Sequence, residues 1–109
     1  MTTPVDAEGL TREMVDRIVD RYRPLRIIIF GSRGRGDAGS DSDVDLLVVM
    51  PDGSDRREAA IAIGAALADV SLAKDIIVTT PGEIADRGHV VNTVLRSALR
   101  EGRVVYERP

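Results

Sequence analysis

Residues 31–43 limit what this chain can become more than any other segment. They hold four Gly, two Arg and several Ser and Asp, and they lie between two short apolar runs, 26–30 and 44–50. The runs are rich in β-branched residues and read as buried strands. A stretch so rich in Gly, Ser and Asp reads as a loop, with at most one helical turn starting at Ser32. Three familiar uses of such loops fail, one on spacing and two on residue type. Gly34-Arg35-Gly36-Asp37-Ala38-Gly39 carries the glycines of a dinucleotide fingerprint. That motif must open a long helix whose N-terminus receives the pyrophosphate, and only residues 40–43 precede the next strand. Gly31 and Gly36 have the spacing of a phosphate-binding P-loop, but Asp37 stands where that loop needs Lys. Asp41, Asp43 and Asp45 resemble the start of an EF-hand, but Leu46 occupies the position that must be Gly for the sharp turn.

Around this loop the chain reads as one domain over residues 1–109. Thr11 is placed to cap a helix ending before Pro24, with Leu10, Met14, Ile18 and Tyr22 on its apolar face. Pro51-Asp52-Gly53 closes the second strand with a turn. Asp55 and Glu58 resemble a capping box for an Ala-rich helix that should reach about Val70 and pack nearly all round. Residues 75–79 read as a third strand. Thr80-Pro81-Gly82-Glu83 starts a short helix ending near Gly88. A further helix is expected to put Val91, Val94, Leu95 and Ala98 on one face, with Gly102 as its C-terminal cap. Residues 104–106 add an edge strand. This order predicts an α/β (α+β) fold, a small mixed β-sheet with helices mainly on one face.

Composition narrows the function. Hydrophobic residues make up 43% of the chain, so it can form a core. Its only aromatics are Phe30, Tyr22 and Tyr106, too few for base-stacking platforms. The net charge of -3 gives no overall positive field to attract nucleic acid or an anionic membrane. The absence of Cys excludes disulfides and thiolate metal sites. The single histidine, His89, leaves no Ser–His–Asp triad or histidine zinc site and reads as structural. Tyr106 reads as edge-strand packing. Of fifteen basic residues only Lys74 is not Arg. No stretch approaches a membrane span, and MTTPVDAEG lacks a signal peptide's basic and apolar regions, so a cytoplasmic protein is expected.

The chemistry concentrates in carboxylates. Side chains alternate along a strand, so Asp43 and Asp45 point to one face at the mouth of the second strand while Val44, Leu46 and Val48 point into the core. Adjacent carboxylates repel each other and call for a counter-charge. Magnesium supplies one and usually takes only one or two protein carboxylates. Asp75 stands before its own apolar run as Asp45 does. If the second and third strands are neighbours, all three carboxylates meet at one end of the sheet, which suits a two-metal site for phosphoryl displacement. At the end of the first strand, a helical turn beginning at Ser32 would aim free N–H groups at an anion. Gly31 lets a triphosphate approach the backbone, Ser32 adds a hydroxyl, and Arg33 and Arg35 can neutralise phosphate. Taken singly, each residue has a plainer role: the Asp pair as a solvated loop edge, Asp75 as a turn or cap residue, the arginines as an offset to the acidic loop.

Gly31-Ser32, the intervening residues 33–42, and Asp43-Val44-Asp45 resemble the signature of the DNA polymerase beta nucleotidyltransferase superfamily. The string GSRGRGDAGSDSDVDLLVV is similar to its minimal nucleotidyltransferase branch, with Gly34 where Ala is common. The likeness extends over nearly the whole chain, including Glu101-Gly102-Arg103-Val104-Val105-Tyr106-Glu107. It implies transfer of a nucleoside monophosphate, AMP from ATP, to a hydroxyl. It implies that Asp43 and Asp45 hold two magnesium ions, and that Asp75 binds the catalytic one and helps deprotonate the acceptor. Gly31 and Ser32 would hold the triphosphate, with Arg33 and Arg35 as further phosphate contacts. Minimal members look like bare catalytic domains and often pair, as antitoxins, with a HEPN-domain toxin; some transfer AMP to a tyrosine of that toxin. Two alternatives stand beside this: an antitoxin that only occludes its partner, and a small-molecule transferase of the aminoglycoside type, which would carry an extra domain.

Overall fold

The computed structural model describes residues 7–31, 43–91 and 93–109. The two β-branched runs become β1 (Arg26–Phe30) and β2 (Val44–Val49). They pair antiparallel, with Ile29 opposite Leu46 and Phe30 opposite Asp45. On the far side of β2 lies β3 (Lys74–Thr79), and this pairing is parallel. A parallel neighbour needs a crossover, which the helix α2 (Arg56–Ala66) supplies. The strand β4 (Arg103–Glu107) pairs antiparallel with the free side of β1. The sheet is therefore mixed, in the order β3-β2-β1-β4. The helix α1 (Ala7–Tyr22) precedes β1, and the helices α3 (Pro81–Arg87) and α4 (Val94–Glu101) lead from β3 to β4.

Strand alternation divides the apolar side chains between two faces. Ile27, Ile29, Val44, Leu46, Val48 and Val78 join Met14, Val15 and Ile18 of α1, Ile63 of α2, and Leu67 and Val70 beyond it. This is the larger core. On the other face Ile28, Phe30 and Leu47 meet Ala98, with Leu95, Leu99 and Ile77 packed against them. Two helices thus cover one face, and α4 covers part of the other. Polar ties hold α1 to α2. Arg17 donates to the Ala66 carbonyl at 2.9 Å and to Asp69 at 2.6 Å, and the Tyr22 hydroxyl donates to the Ala62 carbonyl at 3.1 Å. The Thr80 cap forms as its sequence predicts, its hydroxyl accepting from the Glu83 N–H. The Glu83 side chain takes the Thr79 hydroxyl at 2.5 Å and pairs with Arg56, joining α3 to the start of α2.

Several boundaries and faces differ from expectation. α1 starts at Ala7, a turn before the expected cap; Thr11 lies within the helix and is buried. Glu8 in that first turn suits the positive end of the helix dipole. α2 stops at Ala66, because the Leu67 N–H reaches back to the carbonyls of Ile63, Gly64 and Ala65 and tightens the last turn. Asp69 consequently sits in a turn beyond α2, not on it. Nor is α2 buried all round: Ile63 is its one buried residue, and Ile61 is 64% exposed. In α4 the cap is Thr93, so Val91 falls outside the helix. The buried stripe runs through Leu95, Ala98 and Leu99, leaving Val91 and Val94 in solvent.

Gly102 caps α4 as expected, but what it needs is space. Its N–H donates to Ala98 at 2.9 Å, and an added Cβ would lie 2.3 Å from that carbonyl and 2.4 Å from Ile28 Cγ2. Gly64, inside α2, has nothing within 4 Å of the same point. Gly102→Ala should therefore destabilise the protein by about 1–3 kcal/mol through overpacking. Gly64→Ala should stabilise it by about 0.5–1 kcal/mol by removing backbone freedom from the unfolded chain. Urea denaturation of the two variants checks the opposite signs.

Candidate active site

The last residue of β1, the first residues of β2 and the first residues of β3 lie at one end of the sheet. The parallel register sets Asp45 opposite Asp75. Facing residues in a ladder share a face, so both carboxylates leave the sheet on the side of Leu47 and Ile77, where α4 packs. Val44 and Leu46, on either side of Asp45, are fully buried in the larger core and hold the strand's phase. Asp43 precedes β2 and is exposed. The Val44 N–H donates to the Ala73 carbonyl at 2.9 Å. This bond ties the segment carrying Asp43 and Asp45 to the residues just before Asp75.

The local electrostatics oppose ionisation of Asp45. Burial pushes its carboxyl above the ordinary aspartate range, and the charges of Asp75 and Asp43 push it further. The three groups act on one another, but among the described residues no three His, Cys, Asp or Glu side chains close around one point. Magnesium does not need such a cage, since it completes its shell with water and phosphate oxygens. Acidic groups that repel one another beside a backbone turn therefore match such an ion in donor chemistry.

Gly31 joins this arrangement more closely than its sequence role implies. Its φ is 72°, in the left-handed region, and an added Cβ would lie 2.3 Å from Asp45 Oδ2. The absence of a side chain at Gly31 is what gives the Asp45 carboxylate its place. Ser32, Arg33 and Arg35 lie outside the described residues. His89 is exposed in the turn after α3, and Tyr106 packs on the larger core from the edge strand. Sequence reasoning assigned no role to Lys74, whose ammonium donates to the carbonyls of Val70 and Leu72 at 2.9 and 3.0 Å. The available signal was that it is the only lysine beside fourteen arginines. Among the described residues no helix is long and apolar enough to cross a membrane.

The sequence model of the nucleotidyltransferase domain family matches residues 11–105. Comparison with curated proteins finds no match. A solved structure described as a candidate nucleotidyltransferase from Sulfolobus solfataricus superposes with a TM-score of 0.64 and 24% identity, over 91% of this chain and 78% of that one. A toxin–antitoxin structure with AMP-PNP superposes with a TM-score of 0.51 and 22% identity, over 88% of this chain and 73% of that one. At these identities the two structures speak for the fold.

The raised Asp45 carboxyl has a stability consequence of definite sign. The folded state holds this proton more tightly than the unfolded chain, so the stability it adds is present below the ordinary aspartate range. It is lost as pH rises through the higher folded value. In the presence of a chelator, parent stability relative to Asp45→Asn should fall from acid to neutral pH, and the variant should melt no lower than the parent at neutrality. Melting curves across that range test it; a parent that gains on the variant as pH rises would mean a favourable partner for the charged carboxylate.

Proposed function

The chain belongs to the nucleotidyltransferase domain family, and on that premise we propose that it moves AMP from ATP to a hydroxyl acceptor, using magnesium held by Asp43, Asp45 and Asp75. The observation that carries this reading is the register of Asp45 opposite Asp75, with Gly31 against the Asp45 carboxylate. Bound magnesium would draw charge from the phosphate oxygens and ease loss of the acceptor's proton. The chain's own residues do the rest. Asp43 and Asp45, on one short segment, orient the nucleotide's phosphates. The backbone at Gly31 and Ser32 holds the triphosphate, and Arg33 and Arg35 offset its charge. Asp75 faces the acceptor and takes its proton directly or through water. The acceptor oxygen bonds to the α-phosphorus as the bond from that phosphorus to the bridging oxygen breaks, and pyrophosphate leaves with the electron pair.

The acceptor in this reading is a tyrosine of a HEPN-domain toxin, which makes the chain a cytoplasmic antitoxin. Support comes from the loop string resembling minimal nucleotidyltransferases, and from the fold shared with a toxin–antitoxin structure with AMP-PNP.

Two measurements test this function. Magnesium and ATP together should raise the melting temperature, because a ligand that binds only the folded state adds about 2.7 kcal/mol at a hundred times its Kd. The shift should shrink in Asp43→Asn/Asp45→Asn protein; an equal shift in both would remove these carboxylates from the site. With ATP, magnesium and the toxin, the toxin should gain the mass of one or more AMP units. Asp75→Asn should keep near-parent magnesium–ATP affinity and lower the single-turnover rate by at least about 10²-fold. Asp69→Asn, which changes only a residue paired with Arg17, is the control for chemistry. Neutralisation of the toxin without added mass, unaffected by Asp43→Asn, would point to occlusion instead.

A further inference from the structure

Residues 67–73 connect α2 to β3 and end at the carboxylates. The Val70 N–H donates to the Leu67 carbonyl at 3.0 Å, and the Leu72 N–H donates to the Val70 carbonyl at 2.8 Å. Leu67 and Val70 are buried in the larger core, so one end of the connection is anchored. The other end is the Ala73 carbonyl, which receives the Val44 N–H between Asp43 and Asp45. Between these anchors the chain turns sharply and leaves carbonyls to satisfy. Lys74 folds back over its own approach and donates to two of them, that of Leu72 and that of Val70, which also accepts the Leu72 N–H. By strand alternation its side chain departs from the face opposite Asp75, and its register partner is the buried Val44.

The structure assigns Lys74 as a positioning residue: its ammonium clamps the α2–β3 connection, fixing where β3 begins and so holding Asp75 opposite Asp45. This rests on reading that carboxylate pair as the magnesium site. The residue type fits the task. One compact ammonium carries three donors on a single nitrogen and reaches two carbonyls close to its own backbone. A guanidinium is larger and planar, with its donors in a fixed fork. In a chain with fourteen arginines, the one lysine stands where that difference matters. Without the ammonium, the Leu72 carbonyl would lose this donor and turn to water, the Val70 carbonyl would keep only the Leu72 N–H, and the first residues of β3 would loosen. Asp75 would then lose its fixed place across from Asp45, while the core beneath stayed packed.

The test compares the full chain with Lys74→Met and Lys74→Arg, using manganese with ATP as the probe and electron paramagnetic resonance to count bound metal, well below the melting temperature. Lys74→Met should weaken binding of the second manganese, the one assigned to Asp75, by about 10-fold or more, as loss of an outer-shell partner does at metal sites, while the manganese that enters with ATP stays near parent affinity. Amide exchange should quicken at Val44 and Leu72 but not at Ile27–Ile29 in the centre of the sheet. Lys74→Arg, which keeps the charge but not the single-nitrogen geometry, should stay nearer Lys74→Met than the parent. Faster exchange throughout with parent-like manganese affinity would reduce Lys74 to general stability and overturn the assignment. So would full rescue by Lys74→Arg, which would make charge the cause. Parent-like binding and exchange in Lys74→Met would overturn the clamp alone, whereas a parent that binds no manganese would overturn the metal reading and the clamp with it.

Discussion

The organisation of this protein depends on the alternation of side chains along β2. Val44, Leu46 and Val48 enter the larger core, Leu47 enters the smaller one, and Asp45 leaves the sheet at its mouth. A slip of one residue would carry Asp45 under α1 and α2 and expose three buried aliphatics, so the hydrophobic cores themselves forbid it. The neighbours of β2 then decide what the carboxylate meets. On one side antiparallel β1 brings its last residue, Phe30, and the Gly31 that follows it; on the other parallel β3 brings Asp75. Burial of apolar side chains thus sets the geometry of the charged ones.

Much of this was legible in the residues because the signals are local. The β-branched runs, the Thr80-Pro81 start of α3, the Asp55 cap of α2 and the glycine after α4 depend on a few neighbours each. What escaped depends on partners distant in sequence. The buried face of α4 was misplaced because Val91 and Val94 match the helical period as well as Leu99 does; only contact with Ile28, Phe30 and Leu47 chooses between them. The end of α2 depends on how Leu67 packs. The pairing of Asp45 with Asp75 could be stated only as a condition, that β2 and β3 be neighbours, since no local pattern specifies which strands pair. The closeness of Gly31 to Asp45 likewise exists only after β1 and β2 have met.

The proposed nucleotidyltransferase chemistry suits such a frame, because like charges gathered at one place would be relieved by a bound cation. Asp45, half-buried and facing Asp75, resists ionisation in the free protein. A group in that condition gains more from a bound cation than a solvated carboxylate would. The family match runs from within α1 into β4, so it takes in the three candidate carboxylates together with most of the frame that carries them.

The antiparallel pairing of β1 with β2 has one more consequence. A connection between such strands leaves and returns at the same end of the sheet, so its two stems, at Gly31 and Asp43, stand about one strand spacing apart, roughly 4.8 Å in the ladder direction. Its span is therefore set by the stems and not by its length. For a chain between fixed stems, doubling the number of residues adds only about 0.6 kcal/mol of closure entropy. Insertions and deletions between the stems would thus be nearly neutral for folding. Folding therefore does not set the ten-residue spacing between Ser32 and Asp43; in the proposed reading it is the triphosphate, held from both stems, that does.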